Sequence, residues 1–548
     1  MARAPYGARP RERSIFGEEG TCGHPWPVPP SAIALLSTLL GSFASCALAQ
    51  STIDGTGSAP DESRRKWTVT PSLAVGETYT DNVFLSPAGA QISDWITQLV
   101  PGISIKSNGP RLRLDAVYAP QIMHYARTER PDNVFQKLNA VGTLEVADDL
   151  LFLDAGANVD QYDVSLQAPL TTSNVNITGN RATALTAYVS PYLRRAIGSE
   201  ARVDARYMHS RWRSDDNQQL LPDNDAGRIL LRLESGPAYR LFTWKVHYSG
   251  EEIRYVTHQK TTSEVFLTDG RRLVTPTAGL LMQAGYERYD TGIGFDALED
   301  PRWSLGFDWT PTARTRLAVT AGKRLDESAY SFEFRHRTRL TSWNVSYAED
   351  VTTSRSQFFV PETGNTAGTL DQMFASRYPD PVERQRVVQD FIARTGLPPS
   401  LGGPINFFTD QLFLQKRWLA VMGLHGARNT LIARAFLEYR RALTGTTDLP
   451  GEGDFASSQS IRMTGAGLAW SWQLMAKSTW NLEAGRIRND FLDTDQVDHF
   501  TYLRAGLTRK FQPRLSGSLY YRRQQMDSSL VTTNYVENAG IATLRLMF

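Results

Sequence analysis

The feature that most constrains this chain is a side-chain period of two, sustained over segments much longer than an ordinary strand. Leu112, Leu114, Ala116 and Tyr118 alternate with Arg111, Arg113, Asp115 and Val117. Val203, Ala205 and Tyr207 alternate with Arg202, Asp204 and Arg206, and Ile229, Leu231 and Leu233 with Arg228, Leu230 and Arg232. Leu431, Ala433, Ala435, Leu437 and Tyr439 alternate with Ile432, Arg434, Phe436, Glu438 and Arg440. Successive strand side chains point to opposite faces, so each segment carries one apolar face and one polar face. A soluble sandwich alternates too, but its strands usually have about five or six residues. Here the runs are longer, and arginine stands where a soluble core needs valine.

Turn chemistry adds an asymmetry. Short turns at Ser107–Pro110, Asp148–Asp149, Ile197–Ser199, Thr275–Thr277, Thr310–Thr312, Ala476–Ser478 and Gln512–Arg514 separate pairs of strands. Longer polar connections such as Asp163–Thr178, Ser214–Asn224 and Leu443–Ser457 lie between them. Tight turns at one end and long loops at the other describe a barrel in a bacterial outer membrane. Aromatics near strand ends (Trp67, Trp95, Tyr125, Trp212, Trp244, Tyr255, Trp303, Trp309, Trp418 and Trp480) read as its interfacial girdles. The last segment alternates as well and finishes on Phe548, as such barrels commonly do. The fold class is therefore all-β: a transmembrane outer-membrane antiparallel β-barrel. Run counting gives about 22 strands, bounded by 20 and 24, from a first start near Trp67 to a last near Thr533. Lipid tolerates no open sheet edge, so 67–548 must close as one barrel rather than split into soluble domains.

Composition narrows the partners and the chemistry. Lys and Arg number 59 against 57 Asp and Glu, which argues against a nucleic-acid partner. The only two cysteines, Cys22 and Cys46, precede residue 50, so the body has no Cys-ligated metal and no cysteine nucleophile. Basic Arg3, Arg9, Arg11 and Arg13, an apolar stretch over Ser31–Ala44 and Ala47-Leu-Ala49 form a secretory leader over 1–49. A lipoprotein site at Cys46 is the alternative reading of the same segment. Residues 50–66 are a periplasmic linker, too short for a plug domain that precedes the barrel as in TonB-dependent transporters. The expected location is the outer membrane, among lipid and lipopolysaccharide; oligomeric state stays open.

One insertion breaks the rhythm, at residues 353–408. Asp380-Pro-Val-Glu383 reads as a helix start, and Gly396 with Pro398 as its stop. Between them Val387, Val388, Phe391 and Ile392 form an apolar stripe. Strand parity places this loop outside, where the stripe must pack either within the barrel mouth or on neighbouring loops.

Trp67-Thr-Val-Thr-Pro-Ser-Leu-Ala-Val-Gly-Glu-Thr-Tyr-Thr-Asp-Asn-Val-Phe-Leu-Ser86, followed by Ser93-Asp-Trp-Ile-Thr97 and Val100-Pro-Gly-Ile-Ser104, resembles the PEP-CTERM system-associated outer-membrane β-barrel family. Val351–Gln357, the Asp380-Pro-Val-Glu-Arg384 segment and Arg428–Leu431 extend the resemblance along the chain. It implies an association with exosortase and exopolysaccharide systems, and it carries no site residues.

No catalytic, cofactor or metal site emerges from the sequence. The eight histidines include no His-x-x-x-His pair, and neither a nucleophile elbow nor a P-loop is present. Pro450–Ala456 mimics a dinucleotide fingerprint without the strand-to-helix context. Asp493, Asp495 and Asp498 read as loop charge or a weak cation site. The polar face carries more information. Arg113, Arg206, Arg232, Arg335, Arg337, Arg434, Arg504, Arg522 and Arg545 should face the lumen, with Glu234, Glu333, Glu438, Asp115 and Asp204. Two readings remain: a self-paired polar interior, or an arginine-rich corridor for an acidic exopolysaccharide delivered by its export apparatus. The corresponding functions are a non-enzymatic exit pore, or a non-conducting structural or receptor-like barrel displaying outer loops.

Overall fold

The computed structural model describes residues 67–548, apart from 129–132, 216–219, 258, 293–295, 360–365, 444–452 and most of 376–404. The leader over 1–49, the linker 50–66, the Asp380–Glu383 helix start and the Gly396/Pro398 stop lie outside the described residues.

Long alternating segments give long strands. In chain order they are β1 (Trp67–Thr80), β2 (Asp94–Asn108), β3 (Leu112–Tyr118 continued by Gln121–Tyr125) and β4 (Asn133–Phe135 continued by Leu138–Ala147). Next come β5 (Leu151–Asp163), β6 (Arg181–Ile197), β7 (Ala201–Ser214), β8 (Asn224–Ser235), β9 (Phe242–Tyr255) and β10 (Lys260–Thr275). They are followed by β11 (Ala278–Asp290), β12 (Leu298–Thr312), β13 (Thr315–Arg324), β14 (Glu327–Arg337) and β15 (Thr341–Thr353). Beyond the insertion lie β16 (Leu412–His425), β17 (Asn429–Ala442), β18 (Ser460–Met475), β19 (Ser478–Phe491), β20 (Val497–Lys510), β21 (Leu515–Ser528) and β22 (Tyr535–Met547). Each strand pairs antiparallel with its sequence neighbours, and β22 returns to β1 from Thr80↔Ala539 to Ser72↔Met547. The sheet is thus a closed barrel of 22 strands, and every start expected from the sequence falls within four residues of an observed one.

Pro120, which has no N–H to give the ladder, lies in the break of β3. The expected asymmetry of turns is present for most connections, and the tightest exception is at the outer end. There β13 and β14 join through Leu325 and Asp326 alone, at φ 47° and 56°, the left-handed pair of a tight hairpin.

The outward faces carry apolar side chains that remain open: Val69 at 55 %, Leu305 at 58 % and Leu519 at 65 % exposure. Exposed Tyr79, Trp95, Tyr286 and Tyr330 lie toward the outer ends and Tyr207, Trp418 and Tyr521 at mid-strand, with Trp67, Phe242, Trp309, Trp343, Trp472 and Phe511 toward the short turns. A closed sheet with an apolar belt between two aromatic rings belongs in an outer membrane, with the short turns periplasmic. Three residues expected in the girdles are not there. Tyr125, Trp212 and Tyr255 are 5 %, 0 % and 4 % exposed, because strand parity turns them inward against the outer loops.

Candidate functional site

The insertion between β15 and β16 enters the lumen. Its first helix, α1 (Ser354–Phe359), is capped by the Thr353 hydroxyl, which accepts the Ser356 N–H at 3.2 Å. From α1 the wholly buried Arg355 reaches the opposite wall. It donates to Asn224 Oδ1 and to Ser210 Oγ (2.7 Å), and lies 3.4 Å from Glu251. Phe358 beside it packs on Trp212 and Tyr162, with centroids 4.6 and 4.9 Å apart. Phe408, near the insertion's far end, closes the same cluster.

The second helix, α2 (Thr366–Phe374), lies deeper. The Gln372 carbonyl accepts from Arg337 at 3.4 Å, and Phe374 meets the His425 ring at 5.3 Å. Phe391 meets His425 at the same distance. Arg337 and His425 are the last residues of β14 and β16, both beside periplasmic turns, so α2 sits near the inner end of the lumen. A Cβ placed on Gly423 would lie 2.4 Å from Met373 Sδ, so glycine there lets the helix approach the wall.

The apolar stripe of the insertion now has a partner. Val388 and Phe391 are buried, and Val387 and Ile392 pack against the same cluster. Their counterparts are inward residues of the later strands: Leu419, Val421, Ile432, Phe436, Ile461, Met463, Ile487 and Phe500. The inward face is not made of the expected charged residues alone. Along β16–β20 much of the inward face is apolar because it meets a plug rather than water, with the buried Arg434, Glu438 and Arg440 set among those side chains. Sequence reasoning had the signal, since Ile432 and Phe436 interrupt a face otherwise made of Arg434, Glu438 and Arg440. A strand apolar on both faces is buried on both.

The acids expected on the inward face are paired. Each acid expected on it has a basic neighbour: Asp115 with Lys106 (3.6 Å), Asp204 with Arg194 (3.2 Å), Glu234 with Arg202 (2.9 Å), Glu333 with Arg335 and Arg316, and Glu438 with Arg440 (2.6 Å) and Arg417.

All nine arginines fall on the face opposite the lipid-exposed apolar residues, in three settings. Arg206 binds Asp154 at 2.8 Å, Arg335 binds Glu333, and the buried Arg522 binds Glu537 at 2.6 Å. Arg337 holds α2, Arg504 lies 4.2 Å over the Tyr520 ring, and Arg434 is buried beside Phe436. Arg113, Arg232 and Arg545 have no acid within ion-pair distance among the described residues. The nine do not form one corridor.

Sequence reasoning missed Arg355 and Arg440. Arg440 is buried between the Phe407 and Phe413 rings and pairs with Glu438. It also missed that segments 164–180 and 453–459 fold inward. The Asp454 carboxylate accepts from Ser165 Oγ and from the Leu166 N–H at 2.7 Å, and burial pushes its pKa up to about 6. Asp454 is one of the two acids of the fingerprint-like Pro450–Ala456 segment, and its role is a contact between loops. Asp493 accepts from the Ser460 N–H at 3.0 Å, and Asp498 from Gln496 at 3.0 Å and from Ser528. Among the described residues no three acids or histidines gather as metal ligands.

Beside the plug a cavity of ≈ 990 Å³ remains, walled by Tyr162, Ser249, Thr261, Gln415 and Tyr502 and by Gln357 of α1. Asp350 also borders a second space of ≈ 660 Å³ along the charged wall, beside Lys245, Arg271 and Arg302. A third, ≈ 530 Å³, lies between α2 and Arg316, Arg335 and Arg337 at the periplasmic mouth.

No protein-family profile matches the sequence, and no curated protein matches it. Solved outer-membrane receptors are similar in architecture. The FrpB iron transporter of Neisseria meningitidis (F3-3 variant) is 11 % identical over 88 % of this chain and 82 % of its own, with a TM-score of 0.48. The siderophore receptor PirA of Acinetobacter baumannii is 6 % identical over 88 % and 81 %, at 0.44. The ferric-catecholate import receptor Fiu of E. coli K12 is 8 % identical over 88 % and 82 %, at 0.44. At these identities and scores the likeness carries nothing about cargo. Fold and site together define an outer-membrane β-barrel with a plug supplied from its own outer loop.

Proposed function

We propose that the protein is a closed, receptor-like barrel that admits a polar ligand to the chamber beside its plug, and that it is not an enzyme. The observation that carries this reading is α2, seated beside Arg337 and His425 with Phe374 and Phe391 against the wall. The chamber mixes neutral amides (Gln161, Gln357, Gln415, Asn406) with the rings of Tyr162 and Tyr502, a lining suited to a polyhydroxylated ligand. Within the exosortase setting that the sequence resembles, that ligand is an exopolysaccharide segment.

A second reading, an exit pore for acidic exopolysaccharide, draws on the spaces along the charged wall and on Arg113, Arg232 and Arg545. Conductance in planar bilayers separates the two. A plugged barrel gives few openings, and replacing 354–411 by a short Gly-Ser turn produces large, long-lived steps. Steady anion-selective conductance of the native protein, reduced by Arg335→Gln with Arg337→Gln, would reverse the order of the readings.

A further inference from the structure

Just beyond the outer aromatic ring, where lipid headgroups begin, the lipid-facing side of the barrel carries several charged clusters. Most are balanced. Arg211 and Arg213 face Asp223 and Asp225, and Lys416 and Arg441 face Glu327 and Glu349. One sector is not. On the outward faces of β18, β19 and β21 stand Arg462, Arg486, Arg488 and Arg523, with only Asp490 and Asp527 at their level on β18–β21 among the described residues; Asp81, just past β1, shares Asn538 with Arg523. Asp490 accepts from both Arg462 (3.1 Å) and Arg488 (2.7 Å), yet about half of each arginine side chain stays exposed, at 46 % and 48 %. Arg523 is exposed and held by a neutral partner, donating to Asn538 Oδ1 at 3.0 Å. The acids of the adjoining turn, Asp493 and Asp495, lie farther from the membrane.

The register brings these groups together. Arg462 is opposite Asp490, Arg488 opposite His499, Arg486 opposite Thr501 and Arg523 opposite Leu503. With neighbouring strands about 4.8 Å apart, the patch spans about 14 Å from β18 to β21. Below it the same faces turn apolar: Leu503 and Leu507 on β20, Leu519 and Tyr521 on β21. Guanidinium groups over an apolar surface present donors to phosphate and contact area to acyl chains.

We propose that this sector is a binding site for a phosphorylated glycolipid of the outer leaflet, with Arg462 and Arg488, braced on Asp490, holding one phosphate and Arg486 and Arg523 holding another. The site is independent of the lumen and of what the chamber accepts.

Native mass spectrometry of the full-length barrel in detergent tests it, with bisphosphorylated lipid A, its dephosphorylated form and phosphatidylglycerol as probes. Bisphosphorylated lipid A is retained by the native protein and bound roughly tenfold more weakly by Arg462→Gln with Arg488→Gln, the scale of losing a charged hydrogen bond. Arg523→Gln, which breaks no ion pair, also weakens retention. Arg211→Gln with Arg213→Gln changes nothing. Equal retention by native protein and the two patch variants overturns the proposal, and so does equal retention of the dephosphorylated lipid. Phosphatidylglycerol binding as tightly as lipid A overturns the glycolipid assignment.

Discussion

Along β16–β20 the inward positions include the apolar Leu419, Val421, Ile432, Phe436, Met463, Ile487 and Phe500 beside the buried Arg434, Glu438 and Arg440, whereas along β7–β14 they include Arg206, Arg228, Arg232, Lys245, Asp269, Arg271 and Glu333. Both walls come from strands of the same length and pairing. They differ in what they face. The first is covered by the insertion and packs much as a protein core does; the second borders open spaces and pairs most, though not all, of its charges across strands. Period two states which residues share a face, and only the chemistry of that face states whether water, lipid or protein lies against it.

The comparison breaks most readily on the apolar side. Phe374→Ala with Phe391→Ala removes two buried rings, each worth on the order of 3–5 kcal/mol in a packed core. The expected result is a plug that exchanges amide hydrogen freely over α2 while the strands stay protected, together with a rise in conductance. Arg355→Met is expected to act less strongly. It leaves Asn224 and Ser210 without their partner and Glu251 without its cation, a cost of about 1–3 kcal/mol. Faster exchange confined to α1 is the measurement that shows it. The charged wall should respond least. Arg202→Gln loses a half-exposed ion pair with Glu234, worth about 1 kcal/mol or less, so the melting temperature should hold within a few degrees. A large destabilisation there would mean that the two walls are not different in kind.

Much of the fold was legible because strand periodicity, turn asymmetry and closure are written locally. Run counting starts the twelfth strand near Arg302, later than the observed Leu298, because Leu298-Glu-Asp-Pro301 alternates poorly. The count of 22 survived two interruptions, at residues 119–120 and 136–137, since each continuation keeps its neighbour. The destination of the insertion was half legible. Its stripe demanded a partner, and Ile432 and Phe436 offered one, but the match joins residues far apart in sequence. Arg355 and Asp454 carried no local signal at all, because their roles come from groups across the lumen or on another loop. The girdle reading of Tyr125, Trp212 and Tyr255 failed for a related reason: an aromatic at a strand end lies on either face, and parity decides.

The central claim is that the insertion lies inside the barrel against β16. With its only cysteines at positions 22 and 46, the barrel itself is thiol-free, so an engineered pair reports without background. Thr369 Cγ2 lies 3.0 Å from a Cβ built on Gly423, close enough for a disulfide between the two positions. Thr369→Cys with Gly423→Cys in intact outer membranes should cross-link under mild oxidation and shift the migration of the protein. Persistently free thiols at both positions in a folded barrel would contradict the account.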